Sequence, residues 1–270
     1  MHVRRFALVL VLAVLITAGC GPAGVENRRL LNGVAWARTS LERGMVCEQA
    51  YSLASVRLDQ ALADPDWTAM LHQEDGYQQL PPAVIVDVDE TVLSNLPSFA
   101  RQVREGRAFS SEEWREWVEE ASAEPLPGAK EFIDTAREKG VAVFFVTNRK
   151  AGGHEATVRN LREKIGDWVE PDHVLCRDDG RDKSARRDKV AGRHRVLLLI
   201  GDDYNDFVML ESDDWRERNR LGRQYADLWG VKWIVLPNTI YGSWERVLFG
   251  NRSGLSEQEK IRHMTGALAP

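Results

Sequence analysis

The chain has 270 residues, 43% of them hydrophobic, enough for one domain with a sizeable core. Its 41 acidic against 36 basic residues give a formal charge of −5, which argues against nucleic-acid binding through a broad basic patch. His72, His154, His173, His194 and His263 are scattered, with no spacing that suggests zinc.

At the start, Arg4 and Arg5 precede an apolar stretch from Phe6 to Ile16, followed by Thr17-Ala18-Gly19-Cys20. A basic segment, a short apolar segment and small residues before a cleavage point make a signal peptide, and the apolar part is too short to span a bilayer as a mature helix. The small residues ending in Cys resemble a bacterial lipobox, with Thr17 where leucine is most common. The expectation is therefore a signal peptide over 1–19, a lipidated Cys20, and a protein exported to the cell envelope. Gly21 carries no aspartate retention signal, which points to the outer membrane. Loss of Arg4 and Arg5 takes the formal charge from −5 to −7. Cys47 and Cys176 remain, either paired outside the cytoplasm or as two separate buried thiols.

Residues 20–32 read as a tether and 33–270 as the folded domain. From Val34 to Ala63 apolar residues recur at three- and four-residue intervals, a helical pattern. Pro65 and then Pro81-Pro82 punctuate the approach to the first strand. Four apolar runs follow, Ala83–Val86, Val141–Val146, Val196–Ile200 and Val231–Leu236. They are near-continuous rather than alternating, as in strands of a parallel sheet covered on both faces. Helical segments near Ala129–Lys139 and Glu155–Ile165 fall between them, so the fold expected is a doubly wound, mainly parallel α/β sheet with a small helical insert over 94–126 and accessory helices over 33–64 and 243–265.

Polar residues follow these runs: Asp87-Val88-Asp89-Glu90-Thr91 the first, Thr147-Asn148-Arg149 the second, Asp202-Asp203-Tyr204-Asn205-Asp206 the third, Pro237-Asn238-Thr239 the fourth. In a parallel sheet these positions share the C-terminal edge, where α/β proteins bind ligands. Paired carboxylates at a buried strand end are costly unless positive charge sits beside them. Two such ends suggest one divalent-metal site and chemistry on a phosphate.

Asp87-x-Asp89-x-Thr91, Thr147, Lys183 and Gly201-Asp202-x-x-x-Asp206 resemble the four ordered motifs of the haloacid dehalogenase superfamily of phosphatases. The fuller strings, including Phe145-Val146-Thr147-Asn148-Arg149, Asp182-Lys183-Ser184 and Leu236 to Trp244, resemble the class C bacterial acid phosphatases over about residues 83–245. That group contains outer-membrane lipoproteins acting as 5′-nucleotidases. Ser94 stands where the family often has an acid, and Asp203 where Asn is usual, which adds negative charge beside the metal site.

The resemblance implies a Mg2+ ion held by Asp87, Asp202, the Asp89 main-chain carbonyl and Asp206, which completes or orients the shell. It makes Asp87 the nucleophile of an aspartyl-phosphate intermediate and Asp89 the general acid and base. Thr147 and the Asn148 backbone would bind the phosphoryl oxygens, and Lys183 would offset the gathered negative charge. Lys189, in the same charged stretch, is the competitor for that role. Within the insert, Ser110 with Glu113 reads as a capping box, and Trp114, Trp117 and Val118 share a helix face. The resemblance gives Trp114 and Tyr241 as an aromatic sandwich for the base of a nucleoside monophosphate, with Trp117 packing on the body of the domain. Two other readings stand beside this one: a phosphatase of phosphosugars or phosphoproteins, and a non-catalytic surface-binding lipoprotein.

Overall fold

A computed structural model describes residues 28–269, so the signal-peptide and Cys20 expectations lie outside the described residues. Two helices open it, α1 (Arg28–Thr39) and α2 (Leu41–Ala63). The helical region expected from Val34 to Ala63 is interrupted at Ser40. Ser40 takes an extended conformation and its hydroxyl accepts from the Arg43 N–H at 3.3 Å, an N-cap that restarts the helix. Helix α1 also begins inside the segment read as a tether.

The sheet comprises β1 (Pro82–Val86), β4 (Ala142–Lys150), β5 (Val174–Arg177), β6 (Arg195–Gly201) and β7 (Trp233–Val235). Its order is β5-β4-β1-β6-β7 and every pairing is parallel. Strand β5 was not among the four expected runs. The strand at Ala142 continues through Thr147, Asn148 and Arg149 rather than ending before them, with a register irregularity against β5 between Val146 and Lys150. The last run contributes only three residues to the sheet.

Alternate residues of β1 face two different cores. Val84 and Val86 pack with Val143, Phe145 and Ile200 beneath α2, α5 (Ala129–Glu138) and α6 (His154–Lys164). Ala83 and Ile85 pack with Phe144, Val146, Val196 and Leu199 against α7 (Ser184–Ala191) and the Phe207 and Trp233 rings. Both faces are covered, which is why the strands read as continuous apolar runs. The pairing of β1 with β6 slips at Ala83/Val84, so adjacent Leu197 and Leu198 both reach the first core. From β1 the chain builds outward through β4 to β5, then crosses back to β6 and β7. The direction reverses beside β1, whose C-terminal end therefore faces the crevice where such sheets bind ligands.

The insert is not wholly helical. A two-stranded antiparallel pair, β2 (Leu93–Ser94) with β3 (Glu124–Pro125), ties down its base. Between them lie α3 (Leu96–Glu105) and α4 (Ser111–Glu120). Ser110 caps α4 through the Glu112 and Glu113 N–H groups, while the Glu113 carboxylate pairs with Arg107. The remaining helices are α8 (Trp215–Gly222), α9 (Ser243–Leu248) and α10 (Glu257–Gly266), so the expected 243–265 helix is two short ones. Cys47 on α2 and Cys176 on β5 are both free thiols, so they do not form a disulfide. Burial raises the Cys176 pKa to about 11.

Candidate active site

Asp87 leaves the end of β1 with its N–H bonded to the Ile200 carbonyl at 2.9 Å, and is 6% exposed. Lys183, the residue before α7, is 2% exposed. Its ammonium donates to Asp87 Oδ1 and lies 2.7 Å from Asp206 Oδ1. Lys189 sits exposed further along α7. Burial works against the Lys183 charge, yet Asp206 and Asp87 carry its pKa above the ordinary lysine value.

Asp206 is held by geometry at the end of β6. Its Oδ2 accepts the N–H groups of Asp202 at 3.1 Å and Asp203 at 2.9 Å. A side chain on Gly201 would bring a Cβ within 2.3 Å of that oxygen, so glycine is required where the carboxylate folds back under the strand end. Asp202 accepts from Thr91 Oγ1 at 3.2 Å and from Asn238 Nδ2 at 2.7 Å. Asn238 also accepts from the Ile240 N–H at 2.9 Å and the Tyr241 N–H at 3.4 Å, linking this carboxylate to the loop that carries Tyr241.

Asp87, Asp202 and Asp206 each offer an oxygen within 4.8 Å of the others. Burial, together with the neighbouring carboxylates, raises all three above the ordinary aspartate value, Asp87 to about 7 even with Lys183 opposing. Once ionised, three carboxylates against one ammonium leave an excess of two negative charges, which a cation between them would stabilise. That count and the hard oxygen donors fit one divalent cation. Asp203 does not join them. Its carboxylate accepts from the Asn205 N–H at 2.9 Å and from the Ser243 N–H and hydroxyl. Burial would raise its pKa, but these bonds and Arg246 hold it below the usual range.

Asp89, two residues from Asp87, has different company. Its Oδ1 accepts from Asn95 Nδ2 and Arg149 Nε, both at 2.9 Å, and its Oδ2 from Thr147 Oγ1 at 3.4 Å. Arg149 is 2% exposed and also donates to Thr157 Oγ1 and Asn95 Oδ1, both at 3.4 Å. Between Asp89 and Asn95 the chain is set by Glu90, whose φ of 57° lies in the left-handed region. The Glu90 carboxylate accepts from the Asn95 N–H at 2.6 Å and from Arg43 of α2 at 2.8 Å. Burial raises Glu90 to about 7, against the pull of Arg43. Nothing in the local sequence around Arg43 or Asn95 marks them for these positions, whereas Asn238 follows the fourth apolar run.

Asn148 spends its side chain on the surrounding loops, donating to the Arg181 carbonyl at 3.1 Å and accepting from Arg186 at 2.8 Å. Arg177 donates to its carbonyl at 2.8 Å. Trp114 and Tyr241 do come together, but through a third ring. Phe99 stacks on Tyr241 at 5.0 Å and meets Trp114, tilted, at 6.4 Å. An aromatic sandwich would therefore use the ring faces that Phe99 leaves. Trp117 is buried as expected, yet its indole N–H donates to Asn95 Oδ1 at 2.8 Å.

The sequence matches the HAD superfamily, subfamily IIIB (Acid phosphatase), over residues 27–244. In structure it is similar to the class C acid phosphatase from Bacillus anthracis, with 30% identity, a TM-score of 0.81, and coverage of 90% of this chain and 97% of that one. The same enzyme with tungstate bound gives a TM-score of 0.80. Acid phosphatase 1 of Solanum lycopersicum is 28% identical over 162 residues, 58% of this chain and 57% of that protein. The chain thus spans little more than half the length of this curated relative.

Proposed function

The chain belongs to subfamily IIIB of the HAD superfamily, the acid phosphatases, and from that premise we propose that it is a magnesium-dependent phosphomonoesterase preferring nucleoside 5′-monophosphates. One observation carries the chemical reading: the paired acids at the end of β1 have opposite surroundings. Asp87 faces a lysine and two further carboxylates, whereas Asp89 faces Arg149, Asn95 and Thr147. This division suits a nucleophile on one side and a proton donor on the other.

Asp87 attacks phosphorus and forms an aspartyl phosphate as the ester oxygen departs. Asp89 gives that oxygen a proton, then takes one from the water that hydrolyses the intermediate. Lys183 offsets charge on Asp87 and the phosphoryl group. Thr147, fully buried beside Asp89, is suited to bond a phosphoryl oxygen. A divalent cation held by Asp87 and Asp202, with the Asp89 carbonyl and with Asp206 orienting the set, would supply further neutralisation of the phosphate. The Bacillus anthracis relative binds tungstate, an oxyanion, which supports a phosphate-like ligand for this chain.

Nucleotide preference rests on the aromatic group at the insert. Stacking is worth about 1–3 kcal/mol per base and is indifferent to which base is bound. Trp114 and Tyr241, with Phe99 against both, would favour nucleoside monophosphates over aliphatic phosphates. Export and anchoring through a lipidated Cys20, on the outer membrane, complete the proposal and rest on the sequence of residues 1–20.

The test is phosphate release by protein starting at Cys20, with and without Mg2+, from mononucleotides, a sugar phosphate and p-nitrophenyl phosphate. Magnesium-dependent release favouring mononucleotides, absent in Asp87→Asn, is the expected result. Equal release from every ester would remove nucleotide preference. No release by folded protein would favour a binding lipoprotein. An unmodified Cys20 in mass spectra of the membrane fraction would remove the anchor.

A further inference from the structure

The general-acid reading of Asp89 leaves open which oxygen carries the proton and what holds it there. Oδ1 is crowded by donors: Asn95 Nδ2 and Arg149 Nε at 2.9 Å, with Arg149 Nη2 also at 2.9 Å. A hydroxyl at Oδ1 would point its hydrogen at three N–H groups. Among the described residues Oδ2 has only the Thr147 hydroxyl, at 3.4 Å, which can rotate to accept. The transferable proton therefore belongs on Oδ2, and the orientation of the carboxylate depends on the groups that grip Oδ1.

One of those groups has its own orientation to fix. The two ends of an asparagine amide are nearly the same shape, so its oxygen and nitrogen can exchange places unless a partner distinguishes them. Asn95 is fully buried, and its backbone N–H is already bound to Glu90 at 2.6 Å. Its amide oxygen receives the Trp117 indole N–H at 2.8 Å and, more distantly, Arg149 Nη2 at 3.4 Å. An indole N–H can only donate. Trp117 thus requires the amide oxygen on its side and the NH2 group towards Asp89. With the amide reversed, its oxygen would face the carboxylate and repel it.

We propose that Trp117 and Asn95 are positioning residues for leaving-group protonation, with helix α4 of the insert holding Asp89 so that Oδ2 faces the departing oxygen. In the phosphoryl-transfer step a bond forms between Asp87 and phosphorus while the ester P–O bond breaks. The proton passes from Asp89 Oδ2 to the leaving oxygen, giving a neutral alcohol. The carboxylate left on Asp89 is met by the Arg149 and Asn95 donors already in place. The insert thereby acts on the chemistry as well as bordering the site.

This inference rests on Asp89 being the general acid, and the experiment separates the two. The value of kcat/KM is measured for dinitrophenyl, p-nitrophenyl and phenyl phosphates and for a nucleoside monophosphate. It reports the first phosphoryl transfer, so the later role of Asp89 as a base does not enter. The proteins are the wild type, Trp117→Phe, Asn95→Ser and Asp89→Asn, with thermal melting to verify folding. Trp117→Phe keeps a six-membered ring but loses the N–H together with the five-membered part of the indole, so its melting curve must separate lost packing from the lost hydrogen bond. A dinitrophenolate leaves without a proton, so its rate should change by no more than about twofold, while phenyl phosphate and the nucleotide should lose about tenfold, a fraction of the ~10²–10⁴ that a placed general acid supplies. Asn95→Ser should show the same gradient, and carries the test alone if Trp117→Phe does not fold. A loss equal across all esters, or no loss, in these variants while Asp89→Asn keeps its gradient would overturn the positioning role alone. An ungraded Asp89→Asn would remove the general-acid reading and the inference with it.

Discussion

Lys183→Met removes the cation that pairs with two buried carboxylates, Asp87 and Asp206, while keeping most of the side-chain volume. With Nζ 2.7 Å from Asp206 Oδ1, the gross attraction is about 6 kcal/mol at an effective dielectric of about 20. Desolvation cancels much of this, and breaking a buried pair from one side costs about 3–5 kcal/mol. For a domain of this size that corresponds to a Tm lower by roughly 6–20 °C without metal. Asp87 and Asp206 are already raised by burial, and loss of Lys183 raises them further. A raised carboxylate binds a proton in the folded state that the unfolded state has released. The penalty is therefore small at acidic pH and grows as pH rises through the folded pKa values. Activity should fall by about 10²–10³, the usual loss of one electrostatic stabiliser at a reacting centre. Affinity for a divalent cation should rise, because the site gains a net negative charge. Paired melting curves with and without Mg2+, phosphate-release kinetics and calorimetric Mg2+ titration read all three. Exposed Lys189→Met is the control. If the two variants lose activity equally, or if Lys183→Met stays within about threefold of wild type, the assignment of Lys183 to the site is wrong.

Asn238→Ala unties Asp202 from the Tyr241 loop, and should raise the Mg2+ concentration for half-maximal activity by about 10–100-fold, as losing a partner of a metal ligand does. Trp114→Ala should raise KM for a nucleoside monophosphate by about 5–160-fold, from the 1–3 kcal/mol of one stacking contact, with little change for a sugar phosphate; equal changes would defeat the stacking role. Arg43→Met leaves Glu90 buried without its ion pair and should lower stability by about 3–5 kcal/mol in denaturant titration at neutral pH. His194 is lowered by burial and then by His173, so it stays neutral in the fold at a pH where the unfolded chain takes up a proton. Stability should consequently fall as pH drops below about 6.5, and His194→Gln should flatten that part of the Tm–pH profile.

Much of this site is written along the chain because its main parts follow strands. A strand covered on both faces must be apolar at every position, so β1 and β6 are visible as uninterrupted runs, and the acids that end them stand out. Asp87, Asp89, Asp202 and Asp206 depend on spacings of two and four residues at such ends, which are local facts. Glycine at 201 is local too, since the Asp206 carboxylate, only five residues on, folds back to where a Cβ would sit.

Contacts between distant segments leave no such trace. Arg149 reaches Asp89 across 60 residues, Arg43 reaches Glu90 across 47, and Asn238 reaches Asp202 across 36. Arg149 and Asn238 are visible in sequence as polar residues after apolar runs and Arg43 is not, but in each case the partner is chosen by how strands and helices pack. Strand β5 is only four residues long and ends in arginine, too short to carry a pattern. Ser40 ends α1 because its hydroxyl can cap α2, a competition between backbone partners that apolar periodicity does not register. Trp117 has the clearest division. Its place on the buried face of α4 follows from helical spacing, but the bond from its N–H to Asn95 exists because β2 and β3 close the insert over the end of β1, and closure of that kind belongs to the packed chain as a whole.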